Sequence, residues 1–529
     1  MNTTEFLTIS SAIVPDRQAM VVGDRRITYQ ELQGRVNRLA NALAALGVGN
    51  GDRVAVLQVN CGEHIETYFA AAKLDAVLVP LHFRARADEL TDMINDAAPK
   101  VLLVGQRYVD LVRSFSGELD SVEHYVALEE PVDGWHYYDD LITSALDDER
   151  FPEGDGDDLT MIMFTAGTTG VPKGVMLTHD SFSSYILSNV TPADPEIEER
   201  NILTVPLYHI AGVQAVMAAI YGGRTLIIQG QFEPKQWLEL AERERANRAM
   251  MVPTMIKMLM DHPDFHKHDL SGLEVITYGA APMPRQVIER AIEAFPGTSF
   301  INAFGQTETA ATITMLPPED HILEGPPEEV AAKKRRLSSI GKPLDDVEVG
   351  IFDDDGEPVP QGDVGNIVAR GARLMKGYWH QDDATAETIH DGWLYTGDLG
   401  YFDEEGYIFL AGRAKDFIKR GGEMVSPEEV EGVLRSHPAI DDAAIIGVSD
   451  PDWGERVRAV VVLVNGASIT EDEAIEHCRE RMASFKKPES VVFTDELPRN
   501  PLGKVLKRVL REHYSSPIAG SHPIRSKPV

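Results

Sequence analysis

Short runs of apolar and β-branched residues alternate along this chain with longer amphipathic stretches, and few architectures accommodate that rhythm. Arg53–Asn60, Lys100–Gly105, Asn201–Leu207 and Leu273–Gly279 read as buried strands. Thr28–Leu46, His64–Leu74, Glu233–Asn247 and Pro284–Phe295 read as helices between them. The alternation predicts an α/β fold, with a large N-terminal domain of mostly parallel sheets flanked by helices. After about residue 340 the pattern changes: Asp345–Gly356, Gly365–Gly371 and Gly406–Gly412 predict short strands of a β subdomain. Beyond Asp416, helices are expected at Pro427–Ser436, Thr470–Ala483 and Lys504–His513, and strands at Ala443–Val448, Val457–Val464 and Ser490–Thr494. That is enough for a smaller α+β C-terminal domain. The expected division is residues 1–412, a short connection at 413–416, and residues 417–529.

Charge narrows the class of function. Acidic residues outnumber basic ones 84 to 50, a formal net charge of −34. Such a surface repels phosphate backbones and anionic lipid, which argues against nucleic-acid and membrane-surface binding. Between Arg479 and Glu512, in contrast, nine basic residues face five acidic ones, a local field suited to an anionic small molecule. Two cysteines, Cys61 and Cys478, cannot form a disulfide framework. The first residues lack a basic stretch followed by an apolar one, and Val213–Ile228 is interrupted by Gly222, Gly223 and Arg224. A cytoplasmic location and no integral membrane segment are expected.

Thr165–Gly174 reads TAGTTGVPKG and follows the apolar run Leu159–Phe164. Three glycines let backbone N–H groups turn toward an anion, three threonines add hydroxyl donors, and Lys173 adds a point charge. The chemistry is that of a phosphate-binding loop. It is not a Walker A loop, because Pro172 precedes the lysine and Gly174 follows it.

With this loop the chain resembles the adenylate-forming superfamily of acyl-CoA synthetases, beetle luciferases and peptide-synthetase adenylation domains. Further motifs recur in the family's order: Tyr278–Pro282 (YGAAP), Asn302–Glu308 (NAFGQTE), Tyr395–Asp398 (YTGD), Gly412–Glu431 and Pro498–Lys504 (PRNPLGK). The resemblance spans roughly Arg26 to Arg511. It implies a carboxylate–CoA ligase that converts ATP, a carboxylic acid and CoA to acyl-CoA, AMP and diphosphate through an acyl-adenylate. ATP, Mg²⁺ and coenzyme A are the implied cofactors. A small mobile C-terminal domain would alternate between the two half-reactions about a hinge at Lys415.

The resemblance also implies residue roles. Thr165, Gly167, Thr168, Thr169, Gly170 and Lys173 would hold the ATP phosphates. Gly279, Ala280, Ala281, Asn302, Ala303, Phe304 and Gly305 would surround adenine, and Asp398 and Arg413 the ribose. Lys504 would bridge carboxylate and α-phosphate; a lysine near a helix start is poorly placed unless an anion joins it. Thr307 is an α-phosphate donor and Glu308 the metal ligand, since Mg²⁺ takes one or two carboxylates plus phosphate oxygens. Tyr208, His209, Val213, Gly279, Ala303 and Gly305 would line the acyl pocket, with Met251–Met258 nearby, and His209 also counts among the catalytic residues. This mostly apolar lining suggests a fatty or aryl acid. Gly421, Gly422, Trp453, Phe485, Lys487 and Arg84 would contact CoA.

Two positions depart from the family pattern: Ala166 stands where serine is usual, and Phe304 where tyrosine is. Both changes bear on rate and leave the class intact. An acyl-AMP ligase loading a carrier protein and a non-catalytic nucleotide-binding relative are the competing readings. The chain shows no carrier domain of its own, which favours CoA, and the presence of Lys504, Glu308, Asp398 and Arg413 argues against the non-catalytic reading. Partners are then small molecules, and monomer and homodimer are both left open.

Overall fold

The computed structural model describes residues 1–165, 172–413, 416–420, 423–450, 454–499, 503 and 505–516. The chain forms two compact units, one of residues 1–349 and 368–396, the other of residues 350–367 and 397–529.

The first unit holds two large sheets. One has nine strands, in the order Lys342–Pro343, Ala311–Leu316, Ser299–Gln306, Val275–Gly279, Arg248–Met251, Arg200–Leu203, Thr225–Ile228, Gln18–Val22 and Arg25–Thr28. Its centre is parallel from Ser299–Gln306 through to Gln18–Val22, and antiparallel pairs close both edges. The other has eight strands: Gly377–Tyr378, Lys173–Thr178, Leu159–Thr165, Val77–Pro80, Arg53–Leu57, Val101–Val104, His124–Ala127 and His136–Tyr137. Helices Tyr29–Ala45, Gly62–Ala72 and Ile210–Tyr221 share one core with strands of both sheets, through residues such as Leu32, Leu39, Phe69, Val56, Met217 and Leu226. Helices Ala87–Ala97 and Val109–Phe115 cover the eight-stranded sheet with a second cluster around Leu90, Ile94, Val112, Leu102 and Ile162. Helix Tyr29–Ala45 starts at a reciprocal cap, with Thr28 accepting from the Glu31 N–H and Glu31 from the Thr28 N–H.

In the second unit a five-stranded sheet is built on the long antiparallel pair Ile440–Asp450 and Gly454–Leu463. Ser490–Phe493 adds in parallel, and helices Pro427–Arg435 and Glu471–Arg479 bury Val430, Leu434, Ala474 and Cys478 against it. Helix Lys507–Tyr514 packs Leu510 into a separate cluster with Ile446 and Val460. Both cysteines are free thiols. Among the described residues no helix is long and apolar enough to cross a membrane.

The expected elements are present, and the differences lie at their ends. The run Asn201–Leu207 is a strand only over Arg200–Leu203. Pro206 has no N–H to give a ladder, and the side chain of Asn60 takes over as partner. Its Nδ2 donates to the Val205 carbonyl (3.1 Å) and its Oδ1 accepts from the Leu207 N–H (2.9 Å). Tyr208 and His209 therefore sit at the end of a bridging loop, not directly on the strand. The helix expected from Lys504 begins at Lys507, after Arg499 and Val505 form an isolated bridge. The stretch Val213–Ile228 divides into the helix ending at Tyr221 and strand Thr225–Ile228, with Gly223 at φ +63° in the turn.

Candidate active site

The predicted phosphate loop leaves the eight-stranded sheet between two antiparallel strands, Leu159–Thr165 and Lys173–Thr178, with Thr165 opposite Lys173. Its two ends are thus held one ladder step apart. Gly167, Thr168, Thr169 and Gly170, with Ala166, lie outside the described residues. Gly174, the last glycine of the motif, is a packing position: a Cβ there would come within 2.9 Å of Ile162 and 3.2 Å of Trp379.

The second part of the site is the end of strand Ser299–Gln306. The chain makes a 3₁₀ turn at Thr307–Thr309 and returns as Ala311–Leu316. Thr309 is buried and holds the turn. Its hydroxyl accepts from the Gln306 N–H (3.0 Å) and lies 2.7 Å from the Ala311 carbonyl. Ala310 and Ala311 follow at φ +48° and +76°, a conformation L-residues rarely adopt. Ala280, at the end of strand Val275–Gly279, is another such residue at φ +63°. Backbone held in this region at three alanines marks loops whose shape the rest of the structure imposes.

Thr307 and Glu308 lie half-buried in that turn. The Tyr378 hydroxyl donates to Glu308 Oε1 at 3.0 Å, and the Met375 N–H donates to the Glu308 carbonyl at 2.9 Å. Burial and the neighbouring Glu308 carboxylate push the Tyr378 phenol well above its usual range, so it stays a donor. The Lys173 ammonium stands 4.6 Å from the centroid of the same tyrosine ring. Tyr378 is fixed there because Gly377–Tyr378 pairs with Lys173–Thr178, Tyr378 opposite Val175. One side chain thus ties the lysine of the phosphate loop to the acidic turn of the other sheet.

Gly279 and Gly305 have a structural reason to lack side chains. A Cβ on Gly279 would fall 2.1 Å from the Ala303 carbonyl oxygen, and one on Gly305 1.6 Å from that of Ala311. Ala303 is buried, and Asn302 donates to the Ser339 carbonyl at 3.2 Å. Ala281 is half-buried in the loop after Ala280. Phe304 is half-buried and packs against Ile313, Val347 and Ala369. Tyr278 points into the core, where its hydroxyl meets His321 Nε2 at 2.9 Å.

The aromatic–histidine pair belongs to a cluster at the strand ends. Tyr208 is buried, 4.1 Å from the His82 ring and 5.0 Å from Phe83, centroid to centroid. His209 lies 4.2 Å from Tyr208 and caps helix Ile210–Tyr221. Burial, reinforced by His82 and Arg84, holds the His209 pKa down to about 3, so the ring is neutral near pH 7. Val213 is a core residue. Met251 and Met255 are buried, but Met258 is exposed on the outer face of helix Pro253–Met260, which removes it from a pocket wall. Arg84 is exposed, its guanidinium 5.6 Å from the Phe83 ring centroid.

In the second unit Asp398 is buried within strand Trp393–Phe402, and its Cα pairs with that of Arg413. Phe485 packs against the cluster around Val430 and Cys478, and its carbonyl accepts from Arg420 at 2.8 Å. Burial lowers the Lys487 pKa. Lys415, Gly421, Gly422, Trp453 and Lys504 lie outside the described residues, as does the Arg413 side chain.

Residues 9–379 match the AMP-binding enzyme family and residues 429–504 match the AMP-binding enzyme C-terminal domain. The chain belongs to the AMP-binding enzyme family. Within it, the chain groups with the acyl-CoA synthetases. A feruloyl-CoA synthase from Amycolatopsis sp is 36% identical over 510 residues, covering 94% of this chain and 96% of that protein. A long-chain-fatty-acid–CoA ligase from Mycobacterium tuberculosis is 34% identical over 498 residues, covering 94% of each chain. An anthranilate CoA ligase solved with anthranoyl-AMP superposes with a TM-score of 0.87 at 28% identity, covering 97% of both chains. The α/β architecture with a smaller C-terminal part, expected from the alternation of strands and helices, is that of these adenylate-forming enzymes.

The sequence reading missed Tyr378, Met375 and Thr309. Thr309 adjoins the NAFGQTE motif, and its register three residues after Gln306 was the available signal. Tyr378 is 70 residues from Glu308, and only the strand pairing brings them together.

Proposed function

We propose that this enzyme is an AMP-forming carboxylate–CoA ligase acting on an aryl or fatty acid. The observation that carries the reading is the meeting of Lys173, Tyr378 and Glu308 at the facing ends of two sheets. Attack of a carboxylate oxygen on the α-phosphorus of ATP gathers negative charge on phosphoryl oxygens and expels diphosphate. Fixed cations and donors near that charge lower the barrier most. In this reading Lys173 and the Thr165–Gly174 loop hold the leaving phosphates, and Thr307 donates to the α-phosphate.

Glu308 is assigned to Mg²⁺. Among the described residues no cluster of three metal-ligating side chains exists. A lone carboxylate oriented by Tyr378 fits a cation whose other ligands are phosphate oxygens and water. Bound there, Mg²⁺ would neutralise phosphate charge. Asp398 accepts the ribose hydroxyls with Arg413 behind it. Gly279 to Ala281 and Asn302 to Gly305 form the adenine wall, with Gly279, Ala303 and Gly305 also facing the acyl group. Neutral His209 orients the acid through hydrogen bonding and not through charge. Tyr208 packs the pocket entrance.

The ammonium of Lys504 serves adenylation and is dispensable once the acyl-adenylate exists. Thioester formation then uses Gly421, Gly422, Trp453, Phe485, Lys487 and Arg84 to hold CoA. Residues 1–412 and 417–529 act as the two functional parts, hinged at Lys415 within 413–416. The family supports ATP and CoA as substrates. Feruloyl and long-chain acyl groups in the names of relatives are the basis for an aryl or fatty acid here.

The test is a panel of aryl and alkyl carboxylic acids incubated with ATP and Mg²⁺, with and without CoA. AMP and acyl-CoA are read by mass spectrometry. Acid-dependent acyl-CoA is the expected product; acid-dependent AMP with no thioester at any CoA concentration would overturn the acceptor assignment. Lys415→Pro should slow one half-reaction and spare the other.

A further inference from the structure

Three segments of the second unit meet at one end of its five-stranded sheet. Strand Ile418–Arg420 pairs with Glu423–Val425, and Ile440–Asp450 pairs with Gly454–Leu463. Arg420 stands opposite both Glu423 and Gly454, and Gly454 opposite Asp450, so four strand ends fall in one row. Chain positions 421–422 join the first pair of strands and 451–453 the second. The third segment, Phe485 to Glu489, leads into strand Ser490–Phe493, and the Glu489 N–H donates to the Val457 carbonyl at 2.8 Å. Gly421, Gly422, Trp453, Phe485 and Lys487, assigned above to CoA, all belong to these three segments.

A chain of four alternating charges ties the segments to one another. Asp450 Oδ2 lies 2.5 Å from Arg456 Nε, and Arg456 Nη1 lies 3.1 Å from Glu489 Oε2. The other Glu489 oxygen pairs with Arg420, whose Nη1 also donates to the Phe485 carbonyl at 2.8 Å. Glu489 is therefore a single carboxylate between two arginines that stand on different strands. The side chains of Arg420, Glu489, Arg456 and Asp450 are only 15%, 12%, 11% and 8% exposed. Exposed ion pairs contribute little, whereas removing one partner of a buried pair leaves an uncompensated charge. Without Glu489, Arg420 and Arg456 would be left to repel each other in a place with little water. The strand ladders hold the sheet itself. What the four charges add is a fixed spacing of the three segments at its end.

We infer that Glu489 is a positioning residue for thioester formation: its carboxylate, shared by Arg420 and Arg456, fixes the three segments that receive CoA. This deepens the CoA-ligase reading above and rests on it. Glu489 acts through the residues that contact CoA and has no part in adenylation, which draws on Lys504 and on groups of the first unit. The two half-reactions therefore separate its role from that of a general fastener. Displacing binding groups by about 1 Å costs up to about a hundredfold in rate, so loss of the bridging charge should show as a large change confined to the CoA step.

The test measures both half-reactions in the full-length enzyme. Thioester formation is followed from supplied cinnamoyl-AMP and octanoyl-AMP at graded CoA, and adenylation by diphosphate–ATP exchange with cinnamate and octanoate. Glu489→Gln should raise the KM for CoA about tenfold or more and leave exchange within about twofold of wild type. Glu489→Asp, which keeps a negative charge between the arginines, should fall between the two. Arg456→Met should raise the KM for CoA at least about threefold with exchange again unchanged, and this keeps the inference testable should Glu489→Gln fail to fold. An unchanged KM for CoA in the folded variants overturns the inference, as does a loss of exchange in step with the loss of thioester formation. Wild-type thioester formation reports the CoA-ligase reading separately. If the wild type makes acyl-CoA and the variants match it, only the role of Glu489 falls; if the wild type makes none from either adenylate at any CoA concentration, the CoA reading falls and takes this inference with it.

Discussion

The hydroxyl of Tyr378 reaches Glu308 across 3.0 Å while its ring lies 4.6 Å beneath the ammonium of Lys173. Removing the hydroxyl alone separates the two contacts. Tyr378→Phe keeps the ring under Lys173 and frees Glu308. Adenylation should fall about tenfold, the worth of one hydrogen bond to a charged group, with a raised half-saturating Mg²⁺ concentration. Tyr378→Leu should lose more, because the cation–ring contact goes too. Diphosphate–ATP exchange at graded Mg²⁺ checks this; a Tyr378→Phe enzyme with wild-type Mg²⁺ dependence would remove Tyr378 from the site.

Thr309 holds the turn on which Glu308 sits. Thr309→Val keeps shape but leaves the Gln306 N–H without its acceptor, although Ala310 and Ala311 stay at positive φ. A cost of about 1–3 kcal/mol is expected for one buried group left unpaired. Melting midpoint and exchange activity should fall together, whereas Thr309→Ser should recover most of both.

Gly305→Ala and Gly279→Ala should damage the protein before any ligand arrives. The added carbon would lie 1.6 Å and 2.1 Å from backbone oxygens, which no rotamer change relieves. The ladders between Ser299–Gln306 and its neighbours would have to shift, and soluble yield or melting temperature should drop for both. Wild-type stability with weakened nucleotide binding would show instead that these glycines serve the ligand alone.

Acid should destabilise the first unit. Burial holds His64, His179 and His321 at about pKa 4, against 6.5 for the exposed ring. For His321 the tautomer is fixed. The Pro317 carbonyl can only accept, so Nδ1 carries the hydrogen, and Nε2 accepts from Tyr278. The folded pKa values lie below the unfolded ones, so the unfolded chain binds more protons. Stability is complete above about pH 6.5 and is lost as pH falls toward 4, by on the order of 1.4 kcal/mol per pH unit for each histidine. Thermal midpoints from pH 7.5 to 4.5 should trace this loss, and His64→Leu should flatten it. A flat profile in the wild type would contradict the assignment.

Periodicity made the fold legible. Leu32, Val36, Leu39 and Leu43 recur at helical spacing and do face the core shared by both sheets. Local motifs were legible for the same reason, since Thr165 to Lys173 and Asn302 to Glu308 are continuous in sequence. Strand ends were less so: Asn60 supplies hydrogen bonds beside Pro206 from 146 residues away in the chain, and no local pattern announces it. Tyr378 was hidden likewise. It looks like an ordinary core residue until the pairing of Gly377–Tyr378 with Lys173–Thr178 brings its hydroxyl to Glu308.

The central claim is that this chain activates a carboxylic acid on ATP, with the ammonium of Lys504 needed for that step alone. Exchange of labelled diphosphate into ATP, run with an accepted acid, tests it most directly. The account predicts acid-dependent exchange in the wild type, its loss by at least a hundredfold in Lys504→Ala, and near-normal thioester formation by that variant from supplied acyl-adenylate. Exchange that needs no acid, or a variant equally impaired in both half-reactions, would contradict it.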